Sequence, residues 1–143
     1  MFLDASVLVA AMAGEVEAPA IRVAIVESEK LASSPLAVFE ASCRIAKLRR
    51  ISIDEAYSAT MEFLTMTGAQ LQAIDAETGR AAHTCAARYH LLTGHPARLN
   101  MGDCFAYAAA RASGLKLAYK GNDFLHTDID GVRFGPEAEP PRA

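Results

Sequence analysis

Leu99-Asn100-Met101-Gly102-Asp103-Cys104-Phe105-Ala106-Tyr107-Ala108-Ala109-Ala110-Arg111-Ala112-Ser113-Gly114 reads as a helix too apolar to lie in water. Asn100 suits the N-cap, since its short side chain accepts an N–H of the first turn. Asp103 falls in that turn, where unpaired N–H groups and the positive end of the dipole favour an ionised carboxylate, and Gly114 supplies a left-handed stop. Between them, the alanines let the body pack closely against a sheet. One acid at the mouth of so apolar a helix has two readings. Either it complements the dipole, an effect of about 0.3–1 kcal/mol, or it belongs to a site whose other members lie elsewhere in the chain.

Working outward, Leu115 to Tyr119 reads as a buried strand, and Lys120-Gly121-Asn122-Asp123-Phe124 as a turn that carries a further acid. Asp128 reads as the cap of a local turn. On the other side, Asp75 caps a long helix from Ala76 to about Leu92 that ends at Gly94. At the amino end, Phe2 to Asp4 is a short strand closed by an acid, followed by a helix that stops at Gly14. Pro19 to Glu27 is helical and Leu31 to Ser34 extended. Pro35 opens a helix through Arg49 in which Leu36, Phe39, Cys43 and Ala46 form a core stripe with Glu40 beside it. Ile53 to Thr67 is helical up to Gly68, and Gln70 to Ile74 is extended.

Strands alternating with helices predict an α/β fold of three layers, a short parallel sheet with helices on both faces. Sites in such sheets form beyond the carboxyl ends of the strands, where Asp4, Asp103 and Asp123 can meet. The domain runs over 1–134, and 135–143 is a Pro-rich, acidic and loose tail.

The chain of 143 residues is long enough for one domain with a real core, and its net charge of −3 leaves no global basic footprint. Arg44, Lys47, Arg49, Arg50, Arg98, Lys116 and Lys120 form either a local basic rim for a phosphate backbone or a scattered solvated surface. Cys43, Cys85 and Cys104 are odd in number and lack CxxC spacing, so they read as small buried hydrophobes in a reducing compartment. No targeting or membrane-spanning segment is visible, which places the protein in the cytoplasm. His83 and His90 have no third partner of ligating type. GxGxxG and Walker motifs are absent, so nucleotide-cofactor chemistry has no support.

Several carboxylates gathered over an apolar fold raise one another's pKa or recruit a cation, and an all-oxygen site suits Mg²⁺ or Mn²⁺. Ser6 either holds Asp4 by a hydrogen bond or serves as a helix cap. Asp4-Ala5-Ser6, Glu40 in its Pro-initiated helix, the Leu99 to Ala108 run and Tyr119-Lys120-Gly121-Asn122-Asp123-Phe124 with Thr127-Asp128-Ile129 together resemble a PIN-domain ribonuclease. More narrowly, they resemble the VapC toxins of bacterial type II toxin-antitoxin systems, over roughly Met1 to Ile129. The resemblance implies a Mg²⁺-dependent endoribonuclease with Asp4, Glu40 and Asp103 as metal ligands and Asp123 or Asn122 at a fourth position. It further implies in-line hydrolysis of RNA to a 5′-phosphate and a 3′-hydroxyl, a homodimer, and a cognate antitoxin. Pro19 to Glu27 and Ile53 to Thr67 are the candidate contact surfaces. The alternatives are a PIN-like module that binds RNA or a partner without turnover, and a small phosphatase, against which the missing DxD motif argues.

Overall fold

The computed structural model describes residues 1–135. Its centre is β1 (Phe2–Leu3), fully buried and paired in parallel on both sides, with β2 (Ala32–Ser33) and with β4 (Leu117–Lys120). β3 (Gln70–Leu71) extends the sheet beyond β2 and β5 (Gly131–Phe134) extends it beyond β4, giving an all-parallel order β3-β2-β1-β4-β5. Phe2 N–H donates to Lys116 O at 2.8 Å and Asp4 N–H to Ala118 O at 3.0 Å, so the sheet hydrogen bonding runs up to the acid itself. The buried Ser33 hydroxyl is satisfied by Leu3 O at 2.9 Å.

Parallel strands need crossovers, and among the described residues six α-helices supply all but the β4–β5 connection: α1 (Ala5–Ala13), α2 (Ala18–Glu27), α3 (Pro35–Arg49), α4 (Ile53–Thr67), α5 (Ala76–Tyr89) and α6 (Met101–Ser113). Strand alternation splits the core in two. Leu3, Ala118 and Phe134 pack with α1, α2, α3 and α4 on one face, while Phe2, Leu117 and Tyr119 pack with α5 and α6 on the other. The three-layer α/β/α arrangement expected from the sequence is therefore the observed one. No described helix is long and apolar enough to cross a membrane.

The helix boundaries follow local chemistry. Asn100 accepts from Asp103 N–H at 2.9 Å while Asp103 accepts from Asn100 N–H at 3.0 Å, a reciprocal capping box, and Gly114 closes α6 at φ 69°. Ser34 caps α3 one residue before Pro35, and Ser52 with Glu55 forms a second capping box at α4.

Four local expectations change. The core stripe of α3 is Ala37, Val38, Ala41, Ser42, Ile45 and Ala46, and Phe39 is 64% exposed. The 3–4 spacing allowed two adjacent stripes, and the smaller side chains won because α1 and α4 approach that face closely. The long helix breaks at His90, whose Nδ1 accepts Leu92 N–H, and continues only as a 3₁₀ turn over Leu91–Thr93. The extended piece after Gly68 shrinks to Gln70–Leu71 at the sheet edge. The fifth strand, unforeseen, has a short weakly patterned sequence. It exists because β4 offers an open edge, and a Cβ at Gly131 would meet the Tyr119 ring at 2.8 Å. From residue 136 onward the expected loose tail lies outside the described residues.

Candidate metal and nuclease site

Asp4 follows β1 directly and serves as N-cap of α1. Its carboxylate accepts the Ser6 N–H at 3.1 Å and the Ser6 hydroxyl. The Ser6 oxygen in turn accepts Lys120 N–H at 3.0 Å, so one hydroxyl ties the acid of β1 to the end of β4. Both roles considered for Ser6 therefore reduce to one: it orients Asp4, which is itself the cap.

Glu40 rides on α3 and reaches the first turn of α6. A Cβ at Gly102 would lie 2.7 Å from the Glu40 carboxyl carbon, so the glycine makes room for the carboxylate beside Asp103. Arg44, one turn further along α3, is the cation that partly offsets its charge. Asp123 is exposed in the connection between β4 and β5, and its charge acts on both Asp4 and Asp103. Asn122 instead has its side-chain oxygen engaged by Arg133 Nη2 at 2.7 Å.

Electrostatics binds the group together. Burial raises the Asp4 carboxyl, with Asp123 adding to it and the Ser6 hydrogen bonds opposing. Burial likewise raises Glu40, helped by the Asp4 charge. Asp103 is pushed up to about 7, first by burial and then by Asp123, Asp4 and Glu40, against the stabilising Asn100 N–H. This corrects the expectation that the helix end holds Asp103 ionised. One hydrogen bond and a dipole do not outweigh desolvation among three other carboxylates.

Among the described residues no three acidic, histidine or cysteine side chains are drawn together as a preformed metal cage. An oxygen-only set with an open side fits an ion that keeps several waters and takes one or two carboxylates, as Mg²⁺ does, better than one that demands a full protein shell. Raised carboxyl pKa values are the complementary sign, because a divalent ion replaces the protons that the crowded acids otherwise retain.

The remaining candidates separate cleanly. Lys120 pairs with Glu15 and Glu17 on the α1–α2 turn, the latter at 3.3 Å, and Arg49 donates to Met12 O, so these two are engaged within the fold. His83 Nδ1 meets Gly79 O, a contact within its own helix. Cys85 and Cys104 are buried and Cys43 half-buried, all three free thiols. Gly102 and Asp128 were missed as participants. The Gly102 signal was present, a glycine inside a helical first turn next to an acid. Asp128 does not cap its own turn, since its carboxylate reaches Tyr107, Arg88 and Arg111.

The PIN domain family matches residues 1–130. A VapC ribonuclease of Rhizobium meliloti (strain 1021) is 42% identical over 139 residues, covering 90% of this chain and 98% of that protein. Among solved structures, Mycobacterium tuberculosis VapC20, a sarcin-ricin-loop-cleaving toxin, aligns with TM-score 0.69 at 18% identity, covering 92% of this chain and 97% of that one. A toxin-antitoxin complex from Klebsiella pneumoniae aligns with TM-score 0.65 at 17% identity over 89% of this chain and 92% of that one.

Proposed function

The chain belongs to the PIN-domain family, among relatives named VapC ribonucleases, and from that premise we propose that it is a Mg²⁺-dependent endoribonuclease acting as the toxin of a toxin-antitoxin pair. One observation carries the reading: Asp4, Glu40, Asp103 and Asp123 come from four separate segments and still act on one another's charge at the carboxyl ends of the parallel strands. A structural role does not call for that arrangement, because carboxylates crowded together destabilise a fold.

Asp4 and Asp103 are the residues that would hold the metal, with Glu40 beside Asp103 completing the site or orienting an attacking water. Asp123, whose charge acts on both Asp4 and Asp103, takes the fourth position. Mn²⁺ is the natural substitute for Mg²⁺. When bound, such an ion lowers the cost of deprotonating a water and offsets charge on the departing oxygen of a phosphodiester. Ser6 keeps the Asp4 carboxylate aimed while that charge builds. Glu40, whose carboxyl is raised by burial and by the Asp4 charge, is the group placed to accept a proton from that water.

The same reading includes a cytoplasmic setting, a homodimer and an antitoxin. Val26 and Met66 are 84% and 80% exposed and flank a cleft between α2 and α4 that also includes Ile25 and Phe63, an apolar surface suited to an antitoxin segment. The decisive experiment is cleavage of an end-labelled RNA with added Mg²⁺, with EDTA, and by Asp103→Asn. Cleavage that persists unchanged in EDTA or in the variant overturns the assignment.

A further inference from the structure

Asp103 belongs to α6 and Asp123 to the 121–130 connection, so a shared site requires that this exposed loop keep a fixed position relative to that helix. Contacts made by Arg133 and Phe124 help hold the loop to the sheet. Arg133 Nε donates to Gly121 O at 2.8 Å, and Phe124 is buried edge-on to the Tyr119 ring at 5.0 Å. Both partners lie on β4 or β5, and Phe124 also joins the buried cluster that includes Cys104, Ala106 and Tyr107 of α6.

Asp128 adds a directional polar tie between the loop and that helix. One of its carboxylate oxygens accepts the Tyr107 hydroxyl, and the other accepts Arg111 Nη2 at 3.0 Å and Arg88 Nη1 at 3.3 Å. Its own N–H donates to the Tyr89 hydroxyl at 3.2 Å. Arg88 and Arg111 are themselves held over the rings of Tyr89 and Tyr107, at 4.7 and 5.0 Å from the centroids. Tyr107 and Arg111 stand one and two turns after Asp103, so Asp103 and the two α6 partners of Asp128 share one face of the helix.

We propose that Asp128 is a positioning residue for the nuclease reaction: by clamping the β4–β5 connection to the Asp103 face of α6, it fixes Asp123 relative to Asp103. An exposed ion pair alone would contribute little to stability, and this one is about half exposed, with Arg88, Arg111 and Asp128 at 56%, 53% and 41%. A carboxylate that takes up three donors from two helices, in a loop five residues past the fourth acid, is better explained by placement than by stability. The inference rests on the reading of Asp123 given above.

The test compares Asp123→Ala, Asp128→Ala and the double variant in single-turnover cleavage of a labelled RNA oligonucleotide with Mg²⁺, alongside thermal melting. Misplacing a reacting group by about an ångström costs up to about a hundredfold in rate, so Asp128→Ala should lose roughly tenfold to a hundredfold with RNA affinity unchanged. The double variant should be no slower than Asp123→Ala alone, since both substitutions remove the same contribution. Asp128→Asn, which keeps an acceptor for Tyr107, should recover part of the loss. If Asp128→Ala fails to fold, Tyr107→Phe removes only one hydroxyl and should show the same non-additivity with Asp123→Ala. Losses that multiply in the double variant, or an Asp128→Ala rate equal to the parent's, overturn the inference and leave the site assignment standing. An Asp123→Ala enzyme with full activity overturns both.

Discussion

Replacing Asp103 by Asn separates the two roles this side chain could have. The amide oxygen can still accept the Asn100 N–H now held at 3.0 Å, so the capping box survives and only the charge is lost. In the metal-free protein that loss should stabilise. Moving the carboxyl from 3.8 to about 7 corresponds, at about 1.4 kcal/mol per pKa unit, to a ceiling of roughly 4 kcal/mol above neutral pH. Relaxation and solvent reduce this to on the order of 1–2 kcal/mol, or a melting temperature higher by roughly 2–8 °C for a chain of this size. With Mg²⁺ the order should reverse. Ligand at a hundred times its dissociation constant stabilises the native state by about 2.7 kcal/mol, a gain available to the parent and largely denied to the variant. RNA cleavage should fall by more than about a hundredfold. Melting curves in EDTA and in Mg²⁺, read beside cleavage rates, check all of this. If Asp103→Asn instead lowers the EDTA melting temperature, as a lost cap of about 1 kcal/mol would, and still cuts RNA, then Asp103 is only a helix-capping acid.

Three further outcomes follow from the same geometry. Asp103 holds its proton more tightly in the native state than in the unfolded one, so unfolding releases protons and metal-free stability should decline as pH rises from about 4 through about 7. Urea titrations in EDTA from about pH 5 to about pH 8 will read this, and Asp103→Asn should flatten the slope. Mg²⁺ activation should strengthen over that interval as the competing proton leaves. Gly102→Ala places a methyl against the flexible end of Glu40, so the carboxylate must move while the helix gains up to about 1 kcal/mol of propensity. Cleavage should drop with melting temperature held or raised, and an enzyme of parental activity would mean that Glu40 need not sit beside Asp103. Ser6→Ala strips the hydroxyl donor from Asp4, which keeps only the residue-6 N–H, and leaves Lys120 N–H without its acceptor, at a cost of roughly 1–3 kcal/mol. Equilibrium unfolding together with a Mg²⁺ titration of activity should show both a less stable protein and a weaker metal response, and an unchanged titration would detach Ser6 from the site.

The parts of this fold legible in the sequence are those set by local chemistry. Asn100 and Asp103 bracket a helix start, Gly114 a helix end, and Asp4 the end of a strand, because caps and stops depend on groups a few residues apart. What could not be read locally depends on neighbours brought in by topology. Nothing near Phe39 says that α1 and α4 will cover Ala37 and Ala41 instead of it, and the Gly131 strand exists only because β4 lies beside it.

The site follows the same division, with one consequence for its chemistry. The acids could be picked out singly because Asp4 ends a strand, Asp103 opens a helix, Asp123 sits in a turn and Glu40 lies beside a core stripe, but their protonation could not, since that is a property of the assembled group. Taken alone, Asp103 has every local reason to be ionised. Beside Asp4, Glu40 and Asp123 it is pushed up to about 7, so near neutral pH Asp103 partly keeps its proton. Arg44 beside Glu40 is too slight a counter-charge for the whole group, and Lys120, close in sequence, is committed to Glu15 and Glu17. The fold thus builds an excess of negative charge and directs one nearby cation elsewhere, an arrangement that weakens the metal-free state. On the proposed reading a divalent ion would replace the proton and make the arrangement favourable, so that metal affinity, catalytic competence and pH response should vary together when any of the four carboxylates is changed.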